Sequence, residues 1–311
     1  MPEALEKVSG IIQRFSVSQN PVIAEGVAAL FNGKGKLLRP GLLLIAARFG
    51  KFHEEHYKLA AALEMFHMAT LIHDDVIDDS PLRRGLPTAH SRFGKRDAVL
   101  IGDFLFSRGF LLTAEYTSPQ NAVNLARLIS VICTMEIEQN NDRFRNNTSL
   151  RSYLRKVMGK SAMLFSLACY AGAVEAKASG DICQRLRRIG YNIGIAFQII
   201  DDILDYTGNQ DLVGKPLGND IAEGLITLPV LCALPLDSSG ILRDIFSRAA
   251  FTAEEGTVIF TVVLRSGGVE AAAKYAESYT NRALREIAIL PPGKNRDMLN
   301  TLTRRLLTRD Q

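Results

Sequence analysis

Leu71-Ile-His-Asp-Asp-Val-Ile-Asp-Asp-Ser-Pro-Leu-Arg-Arg84 leads from an apolar run into four aspartates, Asp74, Asp75, Asp78 and Asp79, and ends on paired arginines. Helical neighbours stand three and four residues apart, so Asp74 and Asp78 share one face. They repel, and nothing in their own turn neutralises them. A hard divalent cation such as Mg²⁺ does so, taking one or two carboxylates and completing its shell with substrate phosphate. A single cluster of this kind is more often just an acidic helix end. The odds change because Gln198-Ile-Ile-Asp-Asp-Ile-Leu-Asp205 repeats the D-D-x-x-D spacing. Two such ends facing each other would hold metal between them.

The fold class follows from what precedes the first motif. Leu59, Leu63, Phe66 and Thr70 fall at steps of four, three and four, and Asp74 is the next step on that stripe, a helical period. The carboxylates thus end the inward face of a helix from about His56 to Asp79, where buried charge needs compensation. His67 lies two turns before Asp74, a place where a lone histidine is more often a satisfied core residue than a ligand. Similar patterns predict helices over Ala4–Phe31, Asp97–Tyr116, Asn121–Asn140, Ser149–Ala176 and Asp181–Asp205, with further helices after Pro229. Breaks are expected at Gly33–Gly41, which carries Lys34, Lys36 and Arg39, at Ser80–Asp97, and at Tyr206–Asp220, which carries Lys215. No repeat, low-complexity tract or linker divides the chain. The expectation is all-α: one domain over residues 1–311, an antiparallel helical bundle.

Composition narrows the function classes. Hydrophobic residues make up 47% of the 311, enough for a sizeable core, and the charge excess is only 37 − 33 = 4. That excess is too small to argue for nucleic acid. Cys133, Cys169, Cys183 and Cys232 lack paired metal spacing and read as buried, reduced thiols of a cytoplasmic protein. The start Met1-Pro-Glu-Ala-Leu-Glu lacks the pattern of a signal peptide. No apolar run approaches the roughly 20 residues of a membrane span, which leaves contact with a membrane to the product.

The remaining chemistry lies near the second motif. Lys160, inside the apolar run Met158-Gly-Lys-Ser-Ala-Met-Leu-Phe165, invites an anionic partner, while the glycine pattern of a P-loop is missing. Gly190 and Gly194 cost helix stability, so space is wanted there, for a closely packed helix or for a ligand. Carboxylates, metal and surrounding Lys and Arg describe a diphosphate site that neutralises a departing oxyanion. The apolar stripe beneath suits a hydrocarbon. Loss of diphosphate from an allylic hydrocarbon gives a carbocation that an alkene attacks, so no strong nucleophile is needed.

Taken together, these elements resemble the trans-isoprenyl diphosphate synthases, especially the long-chain polyprenyl synthases. The resemblance rests on Gly35-Lys-Leu-Leu-Arg-Pro40, on His73-Asp-Asp-Val-Ile-Asp78 with Arg83-Arg84-Gly85, and on Phe197-Gln198 before the second motif with Gly214-Lys215-Pro216 after it. It covers roughly residues 30 to 230. It implies an isoprenoid synthase fold with a central apolar cavity, a homodimer, and two or three Mg²⁺ ions. Asp74, Asp78 and Asp201 would bind metal, helped by Asp75, Asp202 and Asp205. Arg83, Lys160, Ser161, Gln198 and Lys215 would hold the allylic prenyl diphosphate, and Lys36, Arg39, His67 and Arg84 the isopentenyl diphosphate. Ser161 stands where threonine is usual, and Leu225 where many members carry a further lysine.

Product length follows from helix geometry. Thr70 and Ala69 lie about 6–7.5 Å below Asp74, and Phe66 about 12 Å below, at 1.5 Å per residue. In the family the chain resembles, an aromatic at this spacing stops elongation early and a small residue lets the chain pass. Ala69 thus implies a product of about thirty to fifty carbons, for which a 20-residue helix, about 30 Å long, gives room. The alternative is a shorter farnesyl or geranylgeranyl product. A class I terpene cyclase has no need of Lys36, Arg39 and Arg84. An HD-type phosphohydrolase, suggested by His73-Asp74, leaves the second motif unexplained. A non-catalytic prenyltransferase subunit would lose the aspartates.

Overall fold

The computed structural model describes residues 1–32, 37–83, 85–146, 148–208 and 217–307. In chain order the helices are α1 (Pro2–Phe15), α2 (Pro21–Asn32), α3 (Leu38–Ala47), α4 (Glu55–Ile77), α5 (Ala89–Phe93), α6 (Lys95–Tyr116), α7 (Pro119–Asn141) and α8 (Leu150–Val157). They continue with α9 (Met163–Glu175), α10 (Gly180–Thr207), α11 (Asn219–Ala222), α12 (Leu228–Ala233), α13 (Ile241–Ser247), α14 (Ala253–Ser266), α15 (Gly268–Ile289) and α16 (Lys294–Leu307). The only strands among the described residues are β1 (Leu82–Arg83) and β2 (Leu86–Pro87), a two-residue antiparallel hairpin. The fold is all-α, as the periodicity predicts.

Five local expectations are corrected. The stretch Ala4–Phe31 is two helices: α1 ends at Phe15, and the Asn20 side chain accepts the N–H groups of Val22 and Ile23 to start α2 at Pro21. Ser80–Asp97 holds the hairpin and α5 as well as loop. Ser149–Ala176 is interrupted by one π-helical turn, Met158–Ala162. The whole run Leu150–Glu175 is long and apolar enough to cross a membrane, contrary to the sequence reading, but 56% of its apolar window is buried inside the protein. Among the cysteines, Cys169 and Cys183 are buried, whereas Cys133 is exposed.

Two compact units are distinguishable: Met1–Leu125 with Ala168–Leu186, and Ala126–Leu167 with Arg187–Gln311. In the first, α4 packs chiefly against α6, and also against α3 and α1. Close approach is built from small residues. A Cβ on Gly102 would lie 2.2 Å from the His73 ring, and one on Gly109 would lie 3.0 Å from Phe66. All of α3 from Arg39 to Ala47 is buried, and Glu175 ties the α6–α7 turn by accepting from Thr117, Ser118 and Asn121.

In the second unit, Tyr153, Val157, Ala162, Ile195, Ile199 and Leu228 form one core, and Ile221, Val230, Leu242, Ile259 and Val263 belong to another. The glycines of α10 serve helix packing, which decides between the two readings of Gly190 and Gly194. A Cβ on Gly190 would lie 2.4 Å from the Phe165 carbonyl, and one on Gly194 would lie 2.5 Å from Ala162 Cα.

Candidate active site

The first acidic motif ends α4. Asp75 is buried, Asp74 and Asp78 are half-buried, and Asp79 is exposed. Asp79 leaves the helix with φ 51°, a left-handed conformation that aspartate tolerates better than most residues, and the chain turns into the hairpin. Asp79 pairs with Lys95 at 3.0 Å and His90 at 3.5 Å. Arg83, on β1, reaches back to Asp75: Nε is 2.9 Å from both carboxylate oxygens and a terminal nitrogen is 2.7 Å from Oδ1. The hairpin thus brings an arginine and an aspartate of the motif together.

His73 faces elsewhere. Its Nε2 is 3.1 Å from the Val99 carbonyl and 3.5 Å from Asp103, and its ring stacks on Phe106 at 5.6 Å. That commitment to α6 removes the basis of an HD-type site. Arg39 is buried in α3, and His67 is half-buried on α4. Phe66 packs against Phe106 and Phe110, with ring centroids 5.8 and 5.0 Å apart. Thr70 donates to the His67 carbonyl at 2.8 Å. Ala69 is fully buried and, five residues before Asp74, is turned about 140° from it around the helix at 100° per residue. Lys36, Arg84 and Lys215 lie outside the described residues.

The second motif ends α10 in a more buried setting. Asp202 accepts from the Tyr153 hydroxyl at 2.6 Å and from Gln198 Nε2 at 3.0 Å. Gln198 Oε1 in turn accepts from Ser161 at 2.6 Å. Asp205 accepts the N–H groups of Asn219 and Asp220, each at 3.1 Å, and so caps α11. Asp201 is half-buried beside them. Burial, reinforced by the charge of Asp220, pushes Asp202 up to about 8 and Asp205 up to about 7. Lys160, Gln198, Asp202, Asp220, Tyr153 and Lys156 line a cavity of about 80 Å³, with Leu225 in its wall.

Lys160 and Ser161 sit in the π turn, a wide turn that occurs frequently at functional sites. Gly159 lets the Met135 side chain pack against this turn, where a Cβ would collide with Met135 Sδ. The segment carrying Asp220 is also held from outside. Arg143 approaches Glu223 at 3.6 Å, and the Phe144 ring lies against Gly224, whose φ is 82°. Sequence reasoning missed Asp220 and Tyr153. Asp220 closes a glycine-rich loop, and Tyr153 lies in an amphipathic helix as an ordinary core residue.

The donor chemistry fits a hard cation. Asp202 and Asp205 are raised chiefly by burial and next by the charge of Asp220, so a cation bound beside them would favour their ionised forms. Among the described residues, no three His, Cys, Asp or Glu side chains form a ready-made cage. The set therefore suits an ion such as Mg²⁺ that takes few carboxylates and completes its shell with phosphate oxygens.

A family model described as polyprenyl synthetase matches residues 20–260. The chain is 37% identical to heptaprenyl diphosphate synthase component 2 of Geobacillus stearothermophilus, over 100% of this chain and 97% of the relative. Its fold matches the crystal structure of heptaprenyl diphosphate synthase from Staphylococcus aureus with a TM-score of 0.95, at 30% identity, covering 100% of this chain and 98% of that one. It also matches a polyprenyl synthase from Caulobacter crescentus CB15, complexed with calcium and isoprenyl diphosphate. That TM-score is 0.90, at 34% identity, covering 99% and 95% of the two chains.

Proposed function

Because the chain belongs to the polyprenyl synthetase family, we propose that it extends an allylic prenyl diphosphate by successive head-to-tail addition of isopentenyl diphosphate. The product of this prenyltransferase is a long all-trans polyprenyl diphosphate, of about thirty to fifty carbons given a roughly 30 Å path along a 20-residue helix. The observation that carries the reading is the second acidic motif, where Asp202, Gln198 and Lys160 line one cavity and Ser161 bonds to Gln198. A cation and a carboxylate set of this kind suit the diphosphate end of a substrate.

In this reading Lys160 and Gln198, with Lys215, cradle the allylic diphosphate, together with Arg83 once Asp75 has oriented it, and Ser161 serves the same site through its hydrogen bond to Gln198. Arg39, His67, Lys36 and Arg84 hold the isopentenyl diphosphate. Asp74, Asp78 and Asp201 would hold Mg²⁺, which when bound supplies charge neutralisation for the leaving oxygens. Asp205 is a weaker candidate for this, because both of its carboxylate oxygens cap α11. The allylic C–O bond breaks with its electron pair passing to the diphosphate. The isopentenyl double bond attacks the resulting cation, and a proton leaves the adduct, taken by the released diphosphate. Ala69, Thr70 and Phe66 set how far the tail extends.

We place the protein in the cytoplasm as a homodimer, with residues 1–311 acting as one domain. The test is incubation with labelled isopentenyl diphosphate, farnesyl diphosphate and Mg²⁺, followed by chromatography of the products. A ladder reaching beyond twenty carbons supports the long-chain reading, a stop at fifteen or twenty carbons supports a shorter-chain synthase, and a released cyclic hydrocarbon overturns both.

A further inference from the structure

The hydrogen bonds around Asp202 form a chain with one sense. Ser161 gives its single proton to Gln198 Oε1, Gln198 gives an amide proton to Asp202 Oδ1, and Tyr153 gives its proton to Asp202 Oδ2, over 2.6, 3.0 and 2.6 Å. Tyr153 and Ser161 are each only 4% exposed, and so is Asp202. A hydroxyl has one proton to donate. Ser161 has therefore spent the proton it would need for a fully ionised diphosphate oxygen, which can only accept. Its role is to orient Gln198. The carboxamide orientation is in turn set at its other end. Turned over, Gln198 would place Oε1 against Asp202 Oδ1, two acceptors at 3.0 Å. Against this, the Tyr153 hydroxyl, 2.6 Å from Oδ2, holds the carboxylate so that Oδ1 faces Gln198 Nε2 at 3.0 Å.

We propose that Tyr153 is a positioning residue for the allylic diphosphate: through Asp202 it fixes which way Gln198 faces, and Gln198 with Ser161 then holds the wall beside Lys160. The geometry leaves Tyr153 no direct contact role in this relay, because its hydroxyl points into the carboxylate and its ring into the core of Val157, Ile195 and Ile199. The inference rests on the prenyl-transfer reading, since it names the substrate that the relay serves.

The test uses Tyr153→Phe, which removes one oxygen and keeps the packing, together with Ser161→Ala and the double variant. First, wild-type enzyme must convert farnesyl and isopentenyl diphosphates to longer products. If it does not, the functional reading fails before the relay is tested. Given activity, Tyr153→Phe should raise KM for farnesyl diphosphate by roughly tenfold, about the value of one hydrogen bond to a charged group, with KM for isopentenyl diphosphate unchanged. Calorimetric titration with farnesyl diphosphate alone should show the same loss of affinity. The double variant should be no worse than the worse single, as expected for residues acting through one network. Equal changes in both KM values, no change in either, or losses that multiply in the double variant would each overturn the proposal. Circular dichroism and Tm identify a variant that fails to fold. In that event the Ser161→Ala variant, tested for the same selective rise in KM, decides the matter.

Discussion

Arg83 grips Asp75 from the neighbouring hairpin, with Nε equidistant, at 2.9 Å, from the two carboxylate oxygens. Asp75 is thus engaged before any ligand arrives, as Asp79 is by Lys95, and an arginine is aimed at the end of α4. Asp75 is only 6% exposed, so removing its partner strands a buried charge. Arg83 itself is about a third exposed, which discounts the cost. Arg83→Ala should lower Tm by roughly 1.5–3 °C, corresponding to about 1–2 kcal/mol in a chain of this size. Asp78→Ala, which leaves the Arg83–Asp75 pair intact, should lower it less. Equal Tm losses in the two variants would contradict this assignment.

Asp74 and Asp201 are assigned to the ions that neutralise the leaving group. Asp74→Ala and Asp201→Ala should each abolish nearly all turnover while helical content survives, because the removed groups repel their neighbours. Wild-type activity should vanish with a chelator and return with Mg²⁺. An enzyme that stays active in chelator would remove the metal assignment.

The two diphosphate sites separate by variant. Lys36→Ala or Arg84→Ala should raise KM chiefly for isopentenyl diphosphate, and Lys160→Ala chiefly for the allylic substrate. A charge-assisted contact is worth about 1.5–3 kcal/mol, which corresponds to roughly 10- to 150-fold in kcat/KM. Parallel losses for both substrates in all three variants count against separate sites.

The buried acids of the second motif make stability depend on pH. Burial pushes the carboxyls of Asp202 and Asp205 up to about 8 and about 7, from the ordinary 3.8. The folded state therefore binds protons more tightly than the unfolded chain, and this stability, complete below about pH 4, is lost progressively as pH rises and is gone above about 8. Glu175 is shifted downward by its hydrogen bonds against an opposing burial effect, so its contribution is constant above pH 5. Metal-free protein should lose at least about 1.5 °C in Tm between pH 5 and 9, the shift that goes with 1 kcal/mol. Mg²⁺ with inorganic diphosphate should flatten the slope. A metal-free Tm that rises across this range would show that the acids are not buried together.

Ala69→Tyr should shorten the product to twenty carbons or fewer while the first addition persists. Ala69 is fully buried, so the tyrosine must take up space that is now filled or reserved for the tail. Product chromatography beside a Tm measurement separates the two cases. An unchanged ladder in a folded variant would place the tail elsewhere.

How much was legible in the sequence varies by element. The α4 stripe and the acidic ends of α4 and α10 could be read directly, because helical period and carboxylate repulsion are local properties. The break at Ser16–Asn20 was hidden, because Asn20 caps α2 through a short polar side chain within a continuing amphipathic pattern. Tyr153 could not be singled out, since its partner Asp202 lies 49 residues away and only packing brings them together. The engagement of Asp75 by Arg83 depends on the hairpin turning back, which Gly85, with φ 75°, permits.

The π turn at Met158–Ala162 is equivalent to one residue inserted into an otherwise continuous helix. Deleting a residue there would restore ordinary helical spacing, with better backbone geometry on both sides. It would also rotate Lys160 and Ser161 by about 100° relative to one flank and move them by about 1.5 Å. The more regular helix would therefore aim its lysine at a different wall. Local regularity and catalytic aim are opposed at this turn, and stabilising redesign of the helix should leave these five residues untouched.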